Sequence, residues 1–182
     1  MKNRRTFLTI LLFPALLCSC SEDPKPVNEE ELITTLIVDL TPAGGGDPIQ
    51  LKFYDEDGEG VIDPITTPDL VQLTTGKTYT AELTLKNESV IPADDITLEI
   101  EAEKNDHLFC FSVTGTEVTI EYNDEDDNTN PIGLSTTWTA GNTGSAGQVQ
   151  ITLRHQPGTK NGTCPGSGDT DLEVTFDVQI VD

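Results

Sequence analysis

The chain has 182 residues, of which 32 are Asp or Glu and only 10 are Lys or Arg, so its formal net charge is −22 at pH 7. A surplus of negative charge this large excludes binding to nucleic acids or other polyanions through bulk electrostatics. Hydrophobic residues make up 35% of the chain, and the mean hydropathy is −0.27. These values fit one domain of ordinary size and exclude a membrane protein with several spanning segments.

The first residues have the pattern of a secretory signal. Three basic residues among the first five precede the apolar run 7–17, which is shorter than the roughly 20 residues that a membrane-spanning helix needs. The sequence LCSC at 17–20 follows directly and resembles the bacterial lipobox, in which an aliphatic residue and two small ones precede the lipidated cysteine. We therefore predict that residues 1–19 are removed and that Cys20 carries lipid, which tethers the protein to a membrane. An ordinary cleaved signal is the alternative.

The segment after Cys20 predicts where the anchored domain lies. Residues 21–23, Ser-Glu-Asp, resemble the acidic export signal with which Bacteroidota move lipoproteins to the outer face of the outer membrane. Residues 20–31 are rich in acids and prolines and lack apolar periodicity, which is typical of an extended tether. We therefore expect a lipid-anchored protein of the outer membrane that faces the cell exterior, with its folded domain over 32–182.

From residue 32 onward, short runs rich in Thr and Val alternate with turns of Gly, Pro, Asn and Asp, a pattern typical of an all-β domain. In 77–87, apolar side chains alternate with Thr, Glu and Lys, so one face packs inward while the other meets water. The sequence predicts a single β-sandwich of immunoglobulin-like or jelly-roll type. Its expected strands are 32–40, 48–54, 69–74, 77–87, 107–114, 117–122, 134–140, 147–155 and 171–181.

One segment, 92–106, fits two structures. Its apolar residues alternate with acidic ones and with threonine, as they do in a strand. Alternatively, one of the two aspartates that precede Ile96 caps a short helix near 94–104, in which Ile96 and Ile100 lie one turn apart. Of the two structures, we favour the short helix.

Two cysteines, Cys110 and Cys164, remain once Cys20 is assigned to lipid and the signal is removed. In an exported, oxidising setting, a remaining pair of cysteines favours a disulfide. The alternative is a buried thiol at Cys110, on an apolar strand, with an unrelated exposed thiol at Cys164. No catalytic thiol is predicted, because no partner for one follows from the sequence.

The first of two acidic loops has the spacing of a calcium site. Asp55, Asp57, Glu59 and Asp63 fall at positions one, three, five and nine of a calcium loop, and Gly60 at position six permits the sharp turn. Position twelve lacks the bidentate Glu of an EF-hand, so the loop is more similar to those of dockerins or thrombospondin type 3 repeats. We therefore expect weak calcium binding here.

The second acidic loop is the poorer calcium candidate. Asp124, Asp126 and Asn128 occupy positions one, three and five, but Thr129 replaces the glycine. Both loops also fit solvated hairpin turns, for which Asp, Asn and Gly are typical. Even when filled, such sites more often brace a fold than catalyse a reaction.

The two histidines, His107 and His155, each lie at the end of a predicted strand, where a β-sandwich can bring them together. Neutral imidazole is a common ligand of transition metals and haem iron, so both residues are candidate ligand contacts. The alternative is that each is an exposed or hydrogen-bonded surface residue. The sequence contains no HExxH, GxSxG or P-loop motif, and we predict no enzyme activity.

Several segments together have the pattern of a known family. They are 28–35, the Asp55 loop, 95–97, 99–100, His107, the Asp124 cluster with 130–131 and 133–134, the turn 153–157 and the C-terminal strand. Through them the chain resembles flavobacterial lipoproteins that are often labelled "type 1 periplasmic binding fold superfamily protein". That label implies alternating strands and helices over a longer chain, whereas this sequence predicts strands almost throughout. The resemblance implies no activity, but it implies a TonB-dependent outer-membrane receptor as a partner.

These patterns favour a surface-anchored lipoprotein that captures a metal or haem ligand for a TonB-dependent outer-membrane transporter. His107 and His155 are the expected ligand contacts. The alternative is a structural or adhesive surface module that is braced by calcium and takes no small-molecule ligand.

Overall fold

The computed structural model describes residues 32–58, 62–144 and 146–182. The predicted signal over 1–19, the lipidated Cys20, the tether over 20–31 and the calcium ligand Glu59 lie outside the described residues. Within the described part, no helix has the length and apolar character that crossing a bilayer requires.

Two sheets pack face to face and form the predicted β-sandwich. The large sheet has the strand order β3-β2-β1-β5-β9-β8, with β6 paired to β5, and the small sheet has the order β4-β11-β10-β7. Neighbouring strands are antiparallel except β4 and β11, which are parallel. The elements are β1 (Thr35–Pro42), β2 (Ile49–Tyr54), β3 (Ile65–Thr67), β4 (Val71–Thr74), β5 (Thr78–Asn87), β6 (Asp94–Asp95), α1 (Ile96–Ala102), β7 (His107–Thr114), β8 (Val118–Tyr122), β9 (Ser135–Ala140), β10 (Gly147–His155) and β11 (Asp169–Val181).

The core lies between the sheets and follows from the period-two alternation of the sequence. In β5, Tyr79, Ala81, Leu83 and Leu85 are buried, while Glu82 between them is exposed. In β11, the side chains from Leu172 to Ile180 alternate in the same way. One apolar face from each sheet is thus removed from water, which stabilises the sandwich by roughly 25 cal/mol for each Å² buried.

The segment near 94–104 folds as the favoured helix, α1. The Asp95 side chain accepts a hydrogen bond from the Thr97 backbone N–H at 3.1 Å and caps the helix. Ile96 and Ile100 are buried, whereas Leu98 is exposed. A strand would place these three apolar side chains on one face, and only the helical period separates Leu98 from the other two.

The strand predictions are confirmed within a few residues, and two short strands were not predicted. β3 is an edge strand of three residues with exposed Ile65 and Thr67, so it lacks a buried alternation. β6 is a two-residue pairing that leads directly into α1. Neither segment carries enough alternating residues to show in the sequence.

The sandwich has two distinct ends. At the end we call the base, β1 begins, and Thr35 pairs with both Tyr54 and Lys86. The base also carries the turns that follow β2, β5, α1, β8 and β10, namely 55–64, 88–93, 103–106, 123–134 and 156–168. At the opposite end, which we call the far end, lie the turns 43–48, 75–77, 115–117 and 141–146. Every candidate site residue that the structure describes, apart from Cys110 on β7, therefore lies at the base.

Candidate metal centre at the base of the sandwich

The two histidines lie side by side at the base of the small sheet. β7 begins at His107, β10 ends at His155, and the two strands pair antiparallel over the full length of β7, so these residues are directly opposite each other. Their rings are stacked, with centroids 4.5 Å apart and an interplanar angle of 11°. His107 is 1% exposed and His155 is 8% exposed. The structure thus brings together the two histidines that the sequence identified, in the interior and not on the surface.

Carboxylates complete the cluster. Glu103, at the end of α1, offers an oxygen that lies within 4.8 Å of a ring nitrogen from each histidine. Among the residues that the structure describes, Glu103, His107 and His155 form the one group of three potential metal ligands. Asp171 adds a buried carboxylate, with its Oδ2 atom 3.8 Å from the Nε2 atom of His107. Two imidazoles and the Glu103 carboxylate therefore lie close together, and the Asp171 carboxylate lies beside one of these imidazoles, that of His107.

A β-bulge places Asp171 in this cluster. Leu153 pairs with Leu172 but Arg154 pairs with Thr170, so Asp171 is the extra residue of the bulge between β10 and β11. Bulges of this kind redirect a side chain away from the regular alternation. The side chain of Asp171 is accordingly buried beside His107, although its neighbour Leu172 also points inward.

The hydrogen bonds of His107 determine which of its nitrogens is free to bind a ligand. Its Nδ1 atom lies 3.2 Å from the Glu103 carbonyl oxygen, which can only accept, so Nδ1 carries the proton and Nε2 keeps the lone pair. This lone pair faces the Asp171 carboxylate. The negative charge of Asp171 beside Nε2 stabilises a positive charge there, which either a proton or a bound metal ion supplies.

The protonation state of His107 also suits a ligand. Burial lowers the pKa of His107 below its ordinary value, and the adjacent His155 ring lowers it further, while the Glu103 carbonyl and the charges of Glu103 and Asp106 act in the opposite direction. A lowered pKa keeps the imidazole neutral at pH 7, which is the form that binds a metal ion.

The turn 156–168, which follows His155, is fixed to the rest of the base. The side chain of Gln156 is fully buried, and its amide donates to the Ser167 carbonyl at 2.7 Å. Its backbone N–H donates to the Asp106 carbonyl at 2.6 Å. Gly168 closes the turn with a positive φ of 90°, and a Cβ atom there would overlap the His155 carbonyl oxygen. The backbone around His155 is thereby held in one position.

Cys110 and Cys164 form a disulfide, as the sequence analysis expected. Cys110 lies three residues after His107 on β7, and Cys164 lies in the turn 156–168. The bond therefore fastens this turn to the strand that carries His107.

The first acidic loop is described only in part. The Asp55 backbone N–H donates to the Thr34 carbonyl at 2.8 Å, and Asp57 Oδ2 accepts from the Ile62 backbone N–H at 3.2 Å. Asp63 is exposed. Among the described residues, the carboxylates of this loop do not form a group of three potential ligands. Calcium binding by Asp55, Asp57, Glu59 and Asp63 stays a prediction.

The carboxylates of the second acidic loop already have protein partners. Asp124 accepts from the backbone N–H groups of Gly133 at 2.7 Å and Ser135 at 2.9 Å. Asp126 accepts from the N–H groups of Asn128 and Asn130 and forms a buried ion pair with Lys160, 3.0 Å away. These contacts brace the turn without an ion, and calcium binding by Asp124, Asp126 and Asn128 stays a prediction.

The position of Thr129 supports this interpretation. It has a φ of 65°, the only left-handed backbone conformation of a non-glycine residue in the described part of the chain. A calcium loop has glycine at this position because the turn requires such a conformation. Here the turn forms with threonine, held by the Asp126 side chain, which binds the N–H groups on both sides of Thr129.

Four residues of the base were missed by sequence reasoning. Glu103 lay inside the expected helical segment, and Asp171 at the start of a predicted strand, where nothing indicated a bulge. Gln156 and Lys160 lie in a polar loop and give no periodic pattern. Only the three-dimensional packing identifies them.

Comparison with known proteins adds no relative: no family model, no curated protein and no solved structure matches this chain. The resemblance to flavobacterial lipoproteins, and the TonB-dependent partner that it implies, therefore stay predictions.

Proposed function

We propose that this protein is a surface lipoprotein whose sandwich captures a transition-metal ion at Glu103, His107 and His155 for a TonB-dependent transporter of the outer membrane. The observation that carries the proposal is the convergence of two imidazoles and one carboxylate, each with a ligand atom within 4.8 Å of the others. The Asp171 carboxylate beside the His107 lone pair supports it. Cys20 and the acidic export signal are the sequence features that favour the surface location.

The donor set favours a transition metal over the other expected ligands. Imidazole nitrogen suits zinc, copper and nickel, whereas calcium takes oxygen ligands almost entirely. Haem needs an axial nitrogen that opens onto a cavity as wide as a porphyrin. His107 and His155 are too deeply buried for that, and their stacked rings cover each other. We therefore narrow the expected class of ligand to a metal ion.

The stacked rings also predict how the ion binds. The lone pair of an imidazole lies in the ring plane, and the two planes here are only 11° from parallel. Such lone pairs do not converge on one ion, so at least one ring rotates when metal binds. A side chain about 30° away from its preferred rotamer loses on the order of 1 kcal/mol. Binding is then weaker than at a preformed site, which suits a protein that passes its ligand on.

Metal titration of the purified full-length chain tests the proposal. We expect one equivalent of Zn²⁺ or Cu²⁺ to bind the unmodified protein, and His107→Asn and His155→Asn each to weaken binding at least tenfold, because each removes one of two nitrogen ligands. Glu103→Gln should weaken it less. Glu101→Gln is the matched control, since Glu101 is an exposed glutamate of α1 outside the ligand group.

Circular dichroism of each variant shows whether its fold is intact. Binding by folded His107→Asn and His155→Asn as tight as that of the unmodified chain would contradict the metal site. Absence of stoichiometric binding to the unmodified chain would contradict it equally.

A calcium-braced structural or adhesive module is the second candidate, and one observation favours it. Asp55 Oδ1 is buried and has no hydrogen-bond partner among the described residues. A buried carboxylate oxygen without a donor is destabilising, and a cation is one way to satisfy it. Asp55 is also the first predicted ligand of the calcium loop.

Thermal unfolding with and without calcium tests this candidate. For a dissociation constant of about 1 mM, 10 mM calcium should add about 1.4 kcal/mol to the free energy of unfolding. Asp55→Asn should remove the increase, whereas Asp47→Asn, at an exposed position of the far end, should keep it. A parallel measurement with magnesium at equal ionic strength separates specific calcium binding from general screening of charge repulsion by salt. If calcium still raised the free energy of unfolding of Asp55→Asn, the ion would bind at a site other than the Asp55 loop.

A further inference from the structure

A fully exposed isoleucine projects from the base. Ile91 is 100% exposed, in the turn 88–93 between β5 and β6, and Val90 beside it is also exposed. A single exposed apolar residue is ordinary, and what is informative is several of them on one part of the surface. The same end of the sandwich carries three further exposed apolar side chains, Leu32, Ile62 and Ile65.

The turn is held outward by hydrogen bonds at its start. The Glu88 backbone N–H donates to Thr34 Oγ1 at 2.7 Å, and Thr35 Oγ1 donates to the Glu88 carboxylate at 2.6 Å. The Asn87 side chain accepts from the Ser89 backbone N–H at 3.0 Å. These contacts join the turn to β1, so the tip is presented on a fixed support and does not fold back on the sandwich.

We propose that Val90 and Ile91 dip into the outer surface of the lipid bilayer to which the chain is anchored, an inference that rests on the lipid anchor of the proposed function. Leu32 is the first described residue, and it lies at the base. It comes twelve residues after Cys20, and extended backbone of that length reaches at most about 40 Å. The tether therefore joins the domain at the base, the same end that carries Val90 and Ile91.

The anchor explains how so small a contact has an effect. Burial of one or two aliphatic side chains is too weak to hold a free protein on a membrane. For a tethered domain the effective concentration at the bilayer is on the order of millimolar, so the same contact orients a molecule that is already there. A convex apolar tip also inserts into a fluid bilayer more readily than it packs against the flat interface of a second protein.

The charges around the tip predict which lipids it prefers. Glu88, Asp94 and Asp95 flank the tip, and Asp57 and Asp63 lie in the neighbouring turn of the base. Two cations, Lys52 and Lys86, act on Glu88, so the acids around the tip outnumber the cations. Anionic headgroups repel such a surface within about a Debye length, so contact should be stronger with zwitterionic lipid.

Tryptophan fluorescence with brominated lipids tests the contact. The lipidated full-length Ile91→Trp chain is reconstituted in phosphatidylcholine vesicles whose lipids carry bromine on the acyl chains. The matched control is Ala43→Trp, at an exposed position of the far end. The native Trp138 is fully buried and gives the same baseline in both variants.

We expect the fluorescence that Ile91→Trp adds to be quenched several-fold more strongly than that of the control, with emission shifted to the blue. Replacing a third of the lipid by phosphatidylglycerol should reduce the quenching. Equal quenching in the two variants would overturn the proposal. A blue shift without bromine quenching would also overturn it, because it shows that the indole packs against protein and not against lipid. Recovery of the chain without lipid on Cys20 would overturn it as well, and none of these outcomes depends on the metal titration.

Discussion

Replacing Lys160 by methionine should lower the free energy of unfolding by about 3 to 5 kcal/mol, because it leaves a buried carboxylate without its counter-charge. The Nζ atom of Lys160 lies 3.0 Å from Asp126 Oδ2, and the two side chains are 1% and 0% exposed. Lys160 also donates to the Lys104 carbonyl at 2.6 Å. Methionine keeps the aliphatic stem and removes only the charge and its hydrogen bonds.

Lys104→Met is the matched control, measured by urea unfolding at pH 7. Lys104 pairs with Asp127 in the same region, but both side chains are partly exposed, and exposed pairs contribute little. The control should therefore unfold at nearly the same urea concentration as the unmodified chain. The double variant Lys160→Met with Asp126→Asn should recover part of the loss, since it removes the uncompensated charge. Equal effects of Lys160→Met and Lys104→Met would contradict the buried pair.

The deficit of Lys160→Met should also depend on pH. Burial tends to raise the pKa of Asp126, but the Asn130 and Asn128 N–H groups and Lys160 together hold it below its ordinary value. A lowered carboxylate pKa stabilises the fold above the ordinary value of about 4, and this contribution is lost as the pH falls through the folded-state pKa. Protonation of Asp126 also removes the penalty in the variant. The difference between variant and unmodified protein should therefore shrink below about pH 4.

The fold was predictable because its longest strands carry alternating apolar residues that continue for eight or more positions. β5, β10 and β11 are the clearest cases, and the structure confirms each. The helix α1 was predictable from its capping aspartate and from the spacing of Ile96 and Ile100. β3 and β6 were not predictable, because a segment of two or three largely exposed residues is too short to show an alternating apolar pattern.

The site was predictable only in outline. His107 opens one strand and His155 closes another, so antiparallel pairing of the two strands places them opposite each other. The carboxylates around them depend on features without a sequence pattern, namely the bulge at Asp171 and the end of α1 at Glu103. The second acidic loop shows the converse. Calcium binding there stays a prediction, but a lysine 34 residues after Asp126 pairs with this carboxylate, and no local sequence pattern shows that contact.

The disulfide should be the other large contribution to stability. Cys110 and Cys164 close a loop of 54 residues, and the chain-entropy model gives about 4 kcal/mol for a loop of that length. We expect the double variant Cys110→Ala with Cys164→Ala to lose about this much in urea unfolding. Reduction of the unmodified protein should have a similar effect, whereas the same reductant should leave the double variant unchanged. A loss below about 1 kcal/mol would contradict the entropic argument.

The disulfide and Lys160 should not act independently, because both fasten the turn 156–168. Cys164 attaches it to β7 and Lys160 attaches it to the Asp126 loop, so either attachment keeps the turn partly ordered when the other is removed. Effects of neighbours that share a structural element are not additive. The triple variant, which combines Cys110→Ala and Cys164→Ala with Lys160→Met, should be less stable than the double cysteine variant and than Lys160→Met. Its total loss in the free energy of unfolding should differ from the sum of the two separate losses by about 0.5 kcal/mol or more. His155 directly precedes this turn, so each change that loosens the turn should also lower the affinity of the protein for zinc. Unchanged zinc affinity in the reduced protein would show that β7 and β10 alone position the histidines.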